Sequence, residues 1–347
     1  MTMLHMYTVC QSTIKPESAD HDRTEYKGPL ISYYATRLVQ EPLCLPCKLH
    51  QNTLISILMS EYPSTLVGGV AVITGGGGGL GSALAMKVGT VMKMKVIVAD
   101  IAFESAKEVA SHINSIGGYA EAAAVDVSKA DDVQKLADDV FSNHGSVQLL
   151  INNAGIETLG FCWEVSSQTW DKTFTVNAAG VASGVRAFLP RMLKSGKECW
   201  VVNVSSLGAI SFLPSQTVYV ASKAAVQAFT EGLYTELKLI NAPVHVSAVL
   251  PGLLRTDIFQ SAGRSGVENA RGSVQKFREH LGRLADEKGM DLRTAANMIM
   301  EQVVAGRFWV TTHPELTQDC IERRVQFLGA LESPELAPGT MTVLDFK

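Results

Sequence analysis

The sequence lacks the features of a membrane, secreted or nucleic-acid-binding protein. No apolar run approaches the roughly 20 residues that span a bilayer, and the N-terminus has no charged region followed by an apolar core. The net charge is -4 with the two signs interspersed, so no basic stripe indicates nucleic acid. We therefore expect a cytoplasmic protein without a membrane span or a nucleic-acid partner.

Metal-ligating clusters are also missing from the sequence. The six cysteines are scattered, and none of the eight histidines pairs with Asp, Glu or Cys at ligand spacing. Cys44 and Cys47 have the spacing of a zinc knuckle or a redox pair, but no second pair completes four ligands. We expect ordinary free thiols and no metal.

Residues 1 to 66 have no sustained hydrophobic period, and five prolines interrupt their short apolar stretches: Pro16, Pro29, Pro42, Pro46 and Pro63. Such a segment buries little apolar surface. We expect an N-terminal extension that is weakly structured or packed on the surface, followed by one domain over residues 67–347.

A run of glycines organises that domain. The apolar stretch 70–73 leads into Thr74, five glycines at 75–79, Leu80 and Gly81, and an amphipathic stretch follows from Ser82. A buried strand that turns through glycines into a helix lets backbone amides approach a pyrophosphate, because no side chain stands in the way. We expect this loop to bind a nucleotide through Thr74, Gly75, Gly79, Leu80 and Gly81.

From Gly69 onward the pattern alternates between strand and helix, which is typical of a parallel sheet with helices on both faces. We expect an α/β, Rossmann-type doubly wound sheet of about seven strands. After the first strand, the others are predicted at 95–100, 119–125, 147–151, 199–204, 244–250 and 307–311. Helices are predicted at 103–116, at 128–141 with Ser128 as N-cap, at 169–193 as one long helix, and at 218–240.

Asp100 ends the second predicted strand, about 20 residues after the glycines. A carboxylate at that place accepts hydrogen bonds from the ribose hydroxyls of a dinucleotide. A 2'-phosphate would meet it as a like charge, and the glycine loop carries no Arg or Lys to offset the repulsion. The sequence therefore favours NAD(H), with NADP(H) as the alternative.

Tyr219 and Lys223 are four residues apart and share one helix face if the segment is helical. A neighbouring ammonium favours the phenolate, so we expect a lowered tyrosine pKa and a usable proton donor or acceptor. Ser206 lies thirteen residues upstream at the carboxyl end of a predicted strand. Ligands of open parallel sheets bind beyond those ends.

Taken together, the motifs resemble the short-chain dehydrogenase/reductase family. The glycine loop matches TGxxxGxG, residues 152–155 read Asn-Asn-Ala-Gly, and Asn177, Ser206, Tyr219 and Lys223 follow in the family's order. The resemblance runs from 69 to about 260. One departure is Lys93, in a turn where relatives commonly carry glycine.

The resemblance implies a role for each catalytic residue. Tyr219 acts as general acid in reduction and as base in oxidation, Lys223 lowers its pKa and holds the nicotinamide ribose, and Ser206 donates to the substrate oxygen. Asn177 holds a water that links Lys223 to solvent. Gln216 adds a second donor to the carbonyl, or alternatively is a loop side chain that faces water.

The resemblance also extends the set of cofactor contacts. Thr256 bonds the carboxamide or the pyrophosphate, and the remaining contacts come from the Asp-Val pair, the Asn-Ala-Gly stretch and the Pro-Gly loop: Asp126, Val127, Asn153, Ala154, Gly155, Pro251, Gly252 and Leu254. The segment 257–290 covers the substrate, and a C-terminal helix and tail occupy 314–347. Two long helices make a homodimer or homotetramer the expected assembly.

We interpret the chain as an NAD(P)-dependent oxidoreductase that exchanges hydride with a ketone or secondary alcohol. An apolar wall favours a modest-sized, apolar small molecule: Phe161, Cys162, Trp163, Phe212, Leu213 and Phe259. One alternative is an epimerase or dehydratase that uses NAD transiently, as the glycine run also fits TGxxGxxG. Another is a non-catalytic nucleotide sensor.

Overall fold

The structure is a computed structural model, and it describes residues 62–262 and 272–335. Seven parallel strands form one sheet in the order β3-β2-β1-β4-β5-β6-β7. The strands are β1 Val70–Thr74, β2 Lys95–Asp100, β3 Tyr119–Ala124, β4 Leu149–Asn152, β5 Cys199–Val204, β6 Val244–Leu250 and β7 Trp309–Thr311. The predicted doubly wound, Rossmann-type sheet is confirmed.

Ten α-helices connect and cover the strands in the described residues. They are α1 Gly79–Met86, α2 Phe103–Ser115, α3 Ala130–His144, α4 Ser167–Phe174, α5 Gly180–Lys194, α6 Thr217–Leu239, α7 Ile258–Ala262, α8 Gly272–Lys288, α9 Leu292–Val304 and α10 Pro314–Ala330. None of these helices is both long and apolar enough to cross a membrane.

Strand residues alternate between two cores, one on each face of the sheet. In β1, Ala71 and Ile73 pack on one face with helices α1, α2 and α9, while Val70 and Val72 pack on the other with α3, α5 and α6. Both faces are therefore buried at the centre of the sheet, which explains why β1, β4 and most of β5 are apolar, whereas β3 at the edge is not. The strand order reverses at β1, because the chain goes from β1 to β2 on one side and later returns to β4 on the other side. The ligand crevice of doubly wound sheets opens at this point.

Two helix predictions differ from the structure. The predicted helix 169–193 is interrupted by a π-helical turn over Thr175–Ala179, which separates α4 from α5. Ser128 does not cap α3: the N-cap is Lys129 without a side-chain bond, and the Ser128 hydroxyl donates to Asp126 at 2.6 Å. A carboxylate two residues back is a stronger acceptor for that hydroxyl.

The turn before β2 explains the departure at Lys93. A π-helical turn over Lys87–Val91 extends α1, and Lys93 then adopts φ +54, in the left-handed region that glycine reaches without strain. A non-glycine residue therefore makes the turn that relatives commonly build with glycine.

Several predictions concern residues outside the described ranges. These are the N-terminal extension up to residue 61, the Cys44–Cys47 pair, part of the substrate segment (263–271) and the tail 336–347.

Candidate active site

The glycine loop closes on itself so tightly that no side chain fits at Gly75 or Gly81. Gly75 has φ +63, and a Cβ on Gly81 would stand 2.0 Å from the carbonyl oxygen of Gly75. Helix α1 begins at Gly79, so its first amides point towards the loop. The backbone geometry agrees with the predicted pyrophosphate cradle.

Asp100 is held against this loop by backbone amides. Its Oδ2 accepts from the amide of Gly77 and its Oδ1 from that of Ala102, both at 2.9 Å. The carboxylate therefore occupies a fixed place between the end of β2 and the glycine loop. This is the place where a ribose hydroxyl acceptor is needed.

The Asn-Asn-Ala-Gly stretch is tied to the same loop. Asn153 donates from Nδ2 to the carbonyl oxygens of Thr74 at 3.0 Å and Gly75 at 3.1 Å. The hydroxyl of Thr74 accepts from the amides of Asn153 and Ala154. The preceding Asn152 instead points into the core, where its Nδ2 donates to Asn203 at 2.8 Å. The stretch thus braces the loop.

The remaining predicted cofactor residues follow the ends of β3, β4 and β6, and Thr256 after β6 approaches the glycine loop. The Cγ2 of Thr256 lies 3.7 Å from where a Cβ on Gly79 would stand, so the loop after β6 reaches the start of α1. Pro251 accepts from the amide of Leu207 at 3.0 Å, which joins that loop to the segment after Ser206. Val127 is buried in the core. The Ser128 hydroxyl bond lowers the pKa of Asp126.

Tyr219, Lys223 and Ser206 converge beyond β5. Lys223 is 4% exposed and its Nζ donates to the carbonyl of Val204 at 2.8 Å, 5.9 Å from the ring centroid of Tyr219. Ser205 donates to the carbonyl of Lys223 at 2.8 Å, and the hydroxyl of Ser206 accepts from the amide of Gly208 at 3.0 Å. The strand end and the first turns of α6 are therefore locked together.

The pKa of Tyr219 is raised, which differs from the lowering expected from the lysine. Burial is the largest cause, the charge of Glu157 adds to it, and a hydrogen bond with Ser206 acts in the opposite direction. Burial lowers the pKa of Lys223 to about 8, against the charge of Glu157. The helical spacing correctly predicted that Tyr219 and Lys223 are neighbours but not their burial, which is the largest cause of both pKa shifts.

Asn177 lies in the π-helical turn and is fully buried. Its Nδ2 donates to the carbonyl of Ile156 and the hydroxyl of Ser222, both at 2.9 Å, and its Oδ1 accepts from the amide of Ile156 at 2.8 Å. A Cβ on Gly155 would lie 3.3 Å from that oxygen and 3.2 Å from Nζ of Lys223. The side chains of Asn177 and Lys223 therefore both lie beside Gly155.

Gln216 does not face water. It is 8% exposed, forms the N-cap of α6, and donates from Nε2 to Oε2 of Glu157 at 3.0 Å. The water-facing alternative is wrong because the loop before α6 packs beneath the loop after β4, where Gly160 donates to Ser215 at 2.8 Å. Sequence analysis missed Glu157; the one signal was a charged residue within a small and apolar stretch.

The apolar wall is divided between buried and exposed groups. Phe259 is buried in a cluster with Leu159 and Phe277, against which Phe161 packs. Trp163 stacks on Phe161 at 5.1 Å but is 72% exposed. The ring of Phe212 is half-exposed beneath the guanidinium of Arg324, at 4.6 Å. Helix α10 therefore contacts the loop that precedes α6.

In the described residues, no group of three or more His, Cys, Asp and Glu side chains is arranged to hold a metal ion. A glycine loop at the sheet's reversal point, together with a buried Tyr-Lys pair and a half-buried serine, is typical of the class of dinucleotide-dependent oxidoreductases.

Comparison with known proteins identifies the family. A sequence profile of the short chain dehydrogenases matches residues 69–265. The putative oxidoreductase SadH of Mycobacterium tuberculosis is 31% identical over 244 residues, which are 70% of this chain and 86% of SadH. The chain belongs to the short-chain dehydrogenase/reductase family.

Two further comparisons bear on the size and the fold. The probable oxidoreductase EphD of Mycobacterium bovis is 32% identical over 212 residues, 59% of this chain but only 35% of EphD, so the match spans about a third of that relative. The structure of a short chain dehydrogenase/reductase from Burkholderia phymatum in complex with NAD matches with a TM-score of 0.75 and 31% identity, covering 79% of this chain and 99% of that one.

Proposed function

We propose that the enzyme transfers hydride between NAD(P)(H) and a ketone or secondary alcohol, with Tyr219 as its general acid and base. The observation that carries this proposal is the continuity of the site. Lys223 reaches Gly155, and Asn153, two residues before it, bonds to Gly75 of the glycine loop. The proton-transfer group and the nucleotide cradle are therefore braced against the same short stretch.

In the proposed reaction the nicotinamide supplies or accepts the hydride. Tyr219 gives its proton to the carbonyl oxygen during reduction and recovers one from the alcohol during oxidation. Ser206 donates a hydrogen bond to the same oxygen and stabilises the charge that builds there. Lys223 holds the nicotinamide ribose, and Asn177 positions a water that connects Lys223 with solvent.

We further propose NAD(H) as the preferred cofactor. The bonds from Gly77 and Ala102 hold the carboxylate of Asp100 beside the glycine loop, where it accepts from ribose hydroxyls. A 2'-phosphate there would meet a negative charge that cannot turn away. The solved relative from Burkholderia phymatum, which binds NAD, supports this preference.

The substrate proposed is a modest-sized, mainly apolar molecule, because Phe161 and Phe259 belong to one apolar cluster and Phe212 is half-exposed in the loop that precedes α6. Residues 67–347 form the proposed catalytic domain, with segment 257–290 covering the substrate.

A homodimer or homotetramer through the long helices is the proposed assembly, and the half-exposed Phe229 on α6 is available to such a contact.

The test is a panel of ketones and secondary alcohols with each nicotinamide cofactor, followed at the nicotinamide absorbance. Tyr219→Phe is expected to bind cofactor normally and to lose turnover by about 10²- to 10⁴-fold, the usual contribution of a general acid. Normal turnover by this variant would show that the proton donor is another group. A tightly retained nucleotide that undergoes no net change would favour an epimerase or dehydratase instead.

A further inference from the structure

A buried carboxyl lies beside the catalytic group and has no part in the reaction as described above. Glu157 is 2% exposed, two residues beyond the Asn-Asn-Ala-Gly stretch. Its Oε1 accepts from the amide of Thr158 and its Oε2 from Nε2 of Gln216, both at 3.0 Å. Neither partner is a cation, although a buried carboxylate usually has one.

The neighbours of Glu157 place it next to the proton-transfer residues. The preceding Ile156 bonds through both its amide and its carbonyl to Asn177. Gln216, which bonds to Glu157, is the N-cap residue of α6 and lies three residues before Tyr219. Residues three apart share a helix face, so the bond to Gln216 brings Glu157 to the face of α6 that carries Tyr219. In agreement with this position, the charge of Glu157 acts to raise the pKa of both Tyr219 and Lys223.

The charge of Glu157 depends on pH in the working range of an enzyme. Burial raises its pKa to about 8, against the bonds from Thr158 and Gln216 and the charge of Lys223. A carboxylate and a phenolate in one buried site repel each other, so the loss of a proton by Glu157 makes the loss of a proton by Tyr219 harder.

We propose that Glu157 is a charge-bearing positioning residue, which opposes deprotonation of Tyr219 and keeps the phenol in the acid form that carbonyl reduction uses. This inference rests on the proposed function of Tyr219. A role as a hydrogen-bond acceptor for Gln216 alone needs no charge, since an amide oxygen serves equally well. The two roles therefore separate when the charge is removed and the shape is kept.

The test compares Glu157→Gln with Glu157→Asp, which retains the charge. Oxidation of a secondary alcohol rises with pH as Tyr219 becomes a base. In Glu157→Gln this rise is expected to move to lower pH by about one unit, the size of one removed charge in a buried site. Glu157→Asp is expected to keep the rise of the unchanged chain. If the pH profiles of alcohol oxidation coincide for the unchanged chain and both variants, while all three are folded, the proposal is overturned.

A second measurement is independent of turnover. The pKa of Glu157 lies above its ordinary value of 4.5, so its contribution to stability is present at acidic pH and is lost as pH rises towards 8. The unfolding free energy of the unchanged chain should therefore fall relative to Glu157→Gln across that window, while the exposed-site control Glu104→Gln follows the unchanged chain. If the unfolding free energies of Glu157→Gln and of the unchanged chain ran parallel across this pH window, the raised pKa of Glu157 would be contradicted.

The proposal is separable from the proposed function. If no substrate is turned over, ionisation of Tyr219 is measured as the tyrosinate absorbance of each chain minus that of its Tyr219→Phe counterpart. An earlier onset of ionisation in Glu157→Gln supports the proposal without any hydride transfer. An equal onset would overturn it even where the oxidoreductase activity is present.

Discussion

The nucleotide loop and the catalytic group are held in different ways. Around Gly75 and Gly81, backbone approaches backbone, and the bonds to Asp100 and Asn153 are made by main-chain atoms of the loop. Around Tyr219, side chains bond to the backbone and side chains of segments that are remote in sequence, and burial is the largest cause of the raised tyrosine pKa. The loop therefore depends on close backbone approach at particular glycines, whereas the catalytic group depends on buried hydrogen bonds between remote segments.

The most damaging change to the first region is Gly81→Ala. Its Cβ would stand 2.0 Å from the carbonyl oxygen of Gly75, so α1 has to move away from the loop. We expect loss of detectable cofactor binding and a fall in unfolding free energy of about 3 kcal/mol or more. Calorimetric titration with NADH and denaturant unfolding measure the two effects.

Gly78→Ala is the matched control, because a Cβ there has no neighbour within 4 Å and the residue is extended at φ -164. Its stability should stay within about 0.5 kcal/mol of the unchanged chain. Equal losses in both variants would mean that close backbone approach is not what this loop requires.

In the second region, Asn177→Ala removes the partner of both backbone groups of Ile156. We expect a loss of about 1 to 3 kcal/mol, because two half-buried backbone groups lose their hydrogen bonds to a buried side chain. Ser222→Ala is the comparison, since it leaves both bonds to Ile156 and removes one contact of Asn177 and the hydroxyl bond to the carbonyl of Tyr219; it should cost about 1 kcal/mol. Denaturant unfolding measures both, and a smaller loss for Asn177→Ala than for Ser222→Ala would contradict the bridging role.

Asp100 is a side chain held by the backbone of the nucleotide loop, and the choice between NAD and NADP tests its role. Asp100→Ala keeps the backbone of the loop but removes the carboxylate that faces the ribose. We expect kcat/KM with the NAD form to fall and the preference over the NADP form to shrink by about 10-fold or more, the effect of one charged hydrogen bond and its repulsion. An unchanged ratio of the two kcat/KM values would remove Asp100 from the ribose site.

The same division explains how much could be predicted from the sequence. The sheet, the glycine loop and Asp100 were predictable because they depend on local alternation, backbone space and spacing along the chain. Glu157 and the burial of Gln216 were not, since both depend on two loops that are remote in sequence meeting in the fold. The π-helical turn at Asn177 was hidden because its residues otherwise continue a helical pattern.

The smallest effect concerns Ser128, which the sequence predicted as a helix cap. The structure instead joins its amide at 3.0 Å and its hydroxyl at 2.6 Å to Asp126, and the hydroxyl bond lowers the pKa of that carboxyl. A lowered acid pKa contributes stability at neutral pH that is lost as pH falls through the folded-state value. We expect Ser128→Ala to cost about 0.5 to 1 kcal/mol near neutral pH and less in acid. A capping role would give the same loss in unfolding experiments at both pH values, because a cap bond to a backbone amide does not depend on the ionisation of Asp126.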